Sequence, residues 1–278
     1  MENNIPSDSY GVLEHSQAKS SIEIQEERIR RIGYSVVSSG YDNDKVAQIR
    51  DKFEQLHQQY QRKFSAEYLA QIGEKNLLRA PLSMGGKLFI ELACNPNVVN
   101  LVENLIPGKY LLNAQNGAVN EPNTIFSQGR WHRDLPYMHY TSSSPLAVNA
   151  IYCVDDFTLD NGATFVLPGS HKFVDFPSPD FVKNNALQVQ AKAGDFIVLD
   201  SMVFHASGHN GSGQVRRAIN HLYSLPVFKQ QIDLSQIISP VKLSSKELQL
   251  LGFLESNILS VEQFLNNKWK QKQGKNSE

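Results

Sequence analysis

Residues 130–140, Arg-Trp-His-Arg-Asp-Leu-Pro-Tyr-Met-His-Tyr, gather two histidines, an aspartate and three aromatic rings into eleven positions. His132 and Asp134 stand two apart, so on an extended segment both side chains leave the same face. An imidazole nitrogen and a carboxylate oxygen suit a first-row divalent metal. With a second histidine they would form the two-histidine, one-carboxylate face of non-haem iron(II) sites, which leaves coordination positions open. The segment DFIVLDSMVFHASGHNGSGQVRRAINHLY (195–223) offers two candidates for that histidine. His205 ends an apolar, strand-like run. His209 lies among glycines that suit a turn better than a rigid ligand. A short H-x-D match on its own describes a solvated loop equally well.

Strands are needed to bring 132–134 and 205 together, and the chain supplies them. From about 110 to 226, runs such as YLLNA, LAVNAIYCV, ATFVL, LQVQA, DFIVL and RAINHLYSL are bounded by Gly, Pro, Asn and Ser clusters, the rhythm of a sandwich or barrel. GYSVV (33–37) is a further short strand. Val46, Ile49, Phe53, Leu56 and Tyr60 recur at spacings of three and four, predicting a core-facing helix over 44–60 capped by Asp44 or Asn43. Asn95 and Pro96 open another helix, which Pro107-Gly108 closes. Ser244 with Glu247 and Ser260 with Gln263 have capping-box spacing near the C-terminus. The fold class expected is mostly β with flanking helices.

Taken in order, H-x-D, then DNGATFVLPGSHK (160–172), then HASGHNGSGQVRR (205–217) resemble the phytanoyl-CoA dioxygenase family of iron(II)- and 2-oxoglutarate-dependent oxygenases, over about residues 30–226. The resemblance implies a double-stranded β-helix, the cupin-like jelly roll. Residues 1–20, polar and without periodicity, are expected to form a mobile tail or lid, and the periodic and capping signals place helical additions at 44–106 and 244–270; the resemblance implies one oxygenase domain over 21–278 with its core at about 110–226. It further implies His132, Asp134 and His205 as iron ligands and catalytic residues, with Arg216, eleven after His205, holding the distal carboxylate of 2-oxoglutarate. Ser207 assists there, and Gln115, seventeen before His132, matches an amide found near the cosubstrate in related hydroxylases. The cofactors implied are Fe(II), 2-oxoglutarate and O2. Hydroxylation of a C–H bond would release succinate and CO2, and Asp134 disfavours halogenation, which needs a small residue in its place. Some members carry a tryptophan about where Ile151 or Tyr152 stands here.

Other residues are weighed against plainer roles. Arg217 neighbours Arg216 on the same strand, so only one of the two can enter the barrel. Arg79, Tyr137, His139 and Tyr152 are candidate substrate contacts. His171 reads as a structural hydrogen-bonding residue, and Gly162 and Gly169 as turns that bring backbone close to the site. A metal-dependent isomerase or lyase on the same fold is the competing reading, and such a protein does not need an arginine for a dicarboxylate. Desaturation, epoxidation and cyclisation are alternative outcomes of the oxidative chemistry.

The bulk properties narrow the partners. Lys plus Arg number 27 against 28 Asp plus Glu in 278 residues, so the totals give no basic face for nucleic acid. No apolar run approaches the ~20 residues of a membrane span. Two cysteines without C-x-x-C spacing fit a reducing compartment, so the protein is expected to be cytoplasmic and to act on a small-molecule substrate.

Overall fold

Among the described residues, nine strands build two antiparallel sheets. The strands are β1 (Tyr34–Ser38), β2 (Leu77–Arg79), β3 (Leu111–Asn120), β4 (Ala147–Cys153), β5 (Thr164–Val166), β6 (Leu187–Gln188), β7 (Asp195–Asp200), β8 (His205–Ser207) and β9 (Arg216–Ser224). The larger sheet runs β1-β7-β4-β9-β3-β2 and the smaller β6-β5-β8. Together they form the jelly roll that the resemblance implies, a sandwich of the kind the strand rhythm predicts. This computed structural model describes residues 6, 8–13, 18, 20–124, 126–135, 139–255 and 258–275. The tail expected over 1–20 therefore lies largely outside the described residues.

Strand parity divides the core in two, because neighbours on a strand point to opposite faces. Val148, Ala150, Tyr152, Phe196, Val198, Ile219 and Tyr223 face outward and pack beneath the helices. Ile151, Cys153, Ile197, Leu199 and Ala218 face inward and meet Ala163 and Val166 of the smaller sheet. The helical cover includes α1 (Ser21–Ile32) and α2 (Asn43–Phe64). Val46, Ile49, Phe53 and Leu56 of the expected stripe are buried on α2, each burial contributing roughly 1.5–3 kcal/mol. Its cap is Asp42, one residue before the pair expected, with Oδ1 accepting the Lys45 amide at 2.8 Å.

The helix Pro96–Leu105 starts at Asn95 as its sequence indicates, and the Ser244 capping box is present. α1, β2 and β8 were not anticipated. α1 has its own capping box, Ser20 Oγ accepting from the Glu23 amide and Glu23 Oε2 accepting from the Ser20 amide. β2 and β8 are three residues each, too short for periodicity to register.

Candidate metal centre

His132 and Asp134 sit just past a turn of 3-10 helix (Ser127–Gly129), and a single antiparallel bridge ties His132 to His205 at the start of β8. The His132 amide donates to the His205 carbonyl at 3.0 Å and the reverse bond is 3.1 Å. Hydrogen bonding between two distant stretches of chain thus sets the spacing of the cluster. Asp134 Oδ1 lies 3.4 Å from His132 Nε2 and 3.7 Å from His205 Nε2. One ligand atom from each of the three residues falls within 4.8 Å of the others, close enough to share an ion.

The atoms behind the cluster fix its orientation. His132 Nδ1 faces the Arg130 carbonyl at 2.7 Å, and His205 Nδ1 faces the Val203 carbonyl at 3.0 Å. A carbonyl only accepts, so Nδ1 carries a proton in both rings and both Nε2 atoms point into the cluster, where each neutral ring offers a lone pair, the arrangement a metal ligand requires. Asp134 Oδ2 accepts hydrogen bonds from the amides of Asn149 and Asn220, the latter at 2.9 Å, which leaves Oδ1 for the histidines. Ser201 Oγ in turn donates to Asn149 Oδ1.

Burial alone would raise the Asp134 pKa. The hydrogen bond from His132, the charges of both histidines and the Asn220 amide outweigh it and hold the carboxylate well below its usual range. At His205 burial wins over the attraction of Asp134, and the pKa falls. At the less buried His132, burial is outweighed by the hydrogen bond and charge of Asp134, and the pKa rises. The result is an ionised carboxylate between imidazoles, one of them, His205, biased to the neutral form.

Arg216 enters the same pocket from β9. This pocket, about 70 Å³, is lined by His132, Asp134, His205, Ser207, Arg216 and Ile151 among others. Arg216 is buried, its guanidinium lies 4.3 Å from the centre of the Phe157 ring, and one of its nitrogens donates to Ser207 Oγ. Among the described residues its Nε has no hydrogen-bond partner, and burial brings its pKa down to about 10. A buried guanidinium with an unmatched donor beside a metal-competent cluster fits a carboxylate ligand. Arg217 points the other way, to Glu54 and Asp155. β8 and β9 belong to different sheets, so Arg216 meets Ser207 across the barrel and not along one hairpin.

Two expected site residues face elsewhere. Gln115 is turned away from the pocket, donating to the Phe89 carbonyl and contacting His221 Nε2 at 3.0 Å, so it does not meet a cosubstrate. Its neighbours Ala114 and Asn116 line the cavity instead. Tyr152 is fully buried against Phe196 beneath the helices and cannot touch substrate, while Ile151 forms that wall of the pocket. Arg79 does line the neighbouring cavity, paired to Glu74. His139 is exposed and Tyr137 lies outside the described residues. His209 takes no part in the cluster, and His171 Nε2 bonds the Arg30 carbonyl, as a structural residue would. Asn149 and Asn220 escaped the sequence reading, although an asparagine inside an otherwise apolar strand is itself a sign of a satisfied polar contact.

A jelly roll with an inward two-histidine, one-carboxylate cluster and a buried arginine has the architecture of the non-haem iron, 2-oxoglutarate-dependent oxygenases. The chain belongs to the phytanoyl-CoA dioxygenase family, whose profile matches residues 29–218. Protein Rv1501 of Mycobacterium tuberculosis is 31% identical over 252 residues, 88% of this chain and 91% of that one. The crystal structure of EctD from S. alaskensis with 2-oxoglutarate and 5-hydroxyectoine superposes with a TM-score of 0.62 at 17% identity, over 78% of this chain and 80% of that one. The α-ketoglutarate-dependent epimerase SnoN from nogalamycin biosynthesis gives 0.51 at 20% identity, over 73% and 82%. At such identities the two structures share the fold with this chain.

Proposed function

We propose that the chain is an iron(II)- and 2-oxoglutarate-dependent dioxygenase that hydroxylates a C–H bond of a small molecule, with one catalytic domain over residues 21–278. The observation that carries this reading is the unpartnered Nε of buried Arg216, in the pocket that also holds His132, Asp134 and His205. When bound, iron with 2-oxoglutarate and O2 supplies the oxidising power, releasing succinate and CO2.

The protein's part is to hold and orient. His132 Nε2, His205 Nε2 and Asp134 Oδ1 present three donors from one side. Arg216 and Ser207 receive the distal carboxylate of the cosubstrate, a planar guanidinium being suited to a bidentate pair. Ile151 and Ala218 give the pocket apolar walls and the Phe157 ring backs the guanidinium, which strengthens that pair by excluding water. The amides of Asn149 and Asn220 keep Asp134 from rotating.

A non-oxidative metal-dependent isomerase or lyase, which takes no 2-oxoglutarate, does not need Arg216 in this position. Desaturation, epoxidation or cyclisation would use the same residues and differ only in how the substrate is placed. The two cysteines are unpaired, in keeping with a cytoplasmic setting. Succinate release is the test. It should require Fe(II), 2-oxoglutarate and O2 together and should rise with the correct substrate, whereas metal-dependent turnover of a substrate without succinate would favour the non-oxidative reading.

A further inference from the structure

A second cavity, of about 670 Å³, adjoins the metal pocket and shares His132, Asp134 and Asn220 with it. Among the described residues its charged lining is one-sided: Arg79, Arg130, Arg133 and Lys229 stand against Asp134 alone. Two of these cations are already committed. Arg79 makes a bidentate pair with Glu74, both contacts 2.6 Å. Arg133 directs its guanidinium at the main-chain oxygens of Met202, Val174, Ser170 and Phe173.

Arg130 and Lys229 differ. Both are exposed at the cavity, and among the described residues neither side chain has an ion pair or a hydrogen bond. The one carboxylate of the lining, Asp134, is occupied by the histidines and two amides. The remaining wall includes Leu135, Leu222 and Phe228, which pack as a small apolar cluster. A formal charge of −1 for the whole chain rules out a general positive field, so the excess is local to this cavity.

We infer that this cavity selects an amphipathic small-molecule acid, whose carboxylate or phosphate meets Arg130 and Lys229 while its apolar part rests on Leu135, Leu222 and Phe228. The inference rests on the proposed iron chemistry for one point, that the end of the ligand nearest His132 and Asp134 is the end oxidised. Arg130 also ties recognition to the metal cluster, since its carbonyl accepts the proton of His132 Nδ1. An anion drawn to its guanidinium is therefore held two residues from a candidate ligand.

Three matched probes test this: 4-phenylbutyrate, 4-phenylbutyl phosphate and the neutral 4-phenylbutanamide. Each is titrated calorimetrically, without oxygen, into full-length protein supplied with Fe(II) and 2-oxoglutarate. At least one anion should bind about tenfold more tightly than the amide, a difference of about 1.4 kcal/mol. Added NaCl should weaken the anion and not the amide. Phosphate ahead of carboxylate identifies a phosphate ester as the natural ligand type, and the reverse identifies a carboxylic acid.

The preference should fall below about twofold in the Arg130→Gln/Lys229→Gln variant and return in Arg130→Lys/Lys229→Arg, where the charges are kept. An amide that binds as well as both anions overturns the inference. So does a preference that survives loss of both cations, or binding by none of the three probes. The visible absorption of the same sample, read before any probe is added, reports the iron chelate separately. Its absence together with a retained anion preference would contradict the iron reading and leave the anion site standing.

Discussion

Asp134 shows how a single carboxylate is given one direction. Its Oδ2 is held by the Asn149 and Asn220 amides, and its Oδ1 is left 3.4 Å from His132 and 3.7 Å from His205. Groups that orient a metal ligand typically matter 10–100-fold for metal affinity. Asn220→Ala should therefore weaken Fe(II) binding by about tenfold or more, measured by competition with a chelator, and unchanged affinity would show that Asn149 suffices. Arg216→Ala should act on the cosubstrate, raising the apparent KM for 2-oxoglutarate at least about tenfold, because a charge-assisted pair is lost from a buried site. An unchanged KM would move the carboxylate to another residue.

At the scale of elements, strand phase decides what the site contains. On β9, Arg216, Ala218 and Asn220 all face the pocket while Arg217 and His221 face away, as the sequence permits one to expect for adjacent arginines. On β3 the phase is broken: Leu112 pairs with Tyr223 and Ala114 with Leu222, so Asn113 is an extra residue, a bulge. Nothing local in YLLNAQNGA reveals such an insertion, and Gln115 accordingly lies on the other face from the one the resemblance implied. The candidate metal ligands were legible because H-x-D and the distal histidine are carried by short, separate signals. The amides behind them were not, because they act only through contacts between β4, β9 and the loop at 134.

Gly162 has φ +79°, and a Cβ there would lie 2.4 Å from the Gly208 carbonyl oxygen. Gly162→Ala should lower stability by about 1–3 kcal/mol, from the left-handed backbone together with the clash, and a urea midpoint equal to wild type would refute this. Gly169 has a positive φ but no close neighbour, so its role is conformational alone.

His221 is fully buried, and burial, only partly offset by hydrogen bonds to Ala150 and Ile219, brings its pKa down to about 4 from 6.5. Between those values the unfolded chain binds the extra proton, so stability is complete above about pH 6.5 and is lost as pH falls towards 4. The span is about 3 kcal/mol. His221→Gln should flatten this part of the stability profile in urea melts at pH 7 and pH 5. Equal slopes for the two proteins would locate the loss elsewhere.

Across the whole molecule, two sheets converge so that residues 132 and 134 and the sequence-distant residues 205 and 216 line one small pocket beside a larger cavity. Binding that joins both sheets stabilises the folded state as a unit. At about 100 times its dissociation constant a ligand adds about 2.7 kcal/mol. Mn(II) with 2-oxoglutarate should accordingly raise the melting temperature by several degrees, on the order of 5 °C for a chain of this length, and the gain should vanish in Asp134→Ala. The same shift in the variant would place the metal outside the cluster.

The most direct test of the central claim is an anaerobic titration of metal-free protein with Fe(II) in excess 2-oxoglutarate, followed by visible absorption. The account predicts a weak chelate band that saturates at one equivalent of iron and does not form in His205→Ala or Asp134→Ala. A wild-type protein that gives no band, or a His205→Ala protein that gives the same band at the same iron concentration, would contradict it.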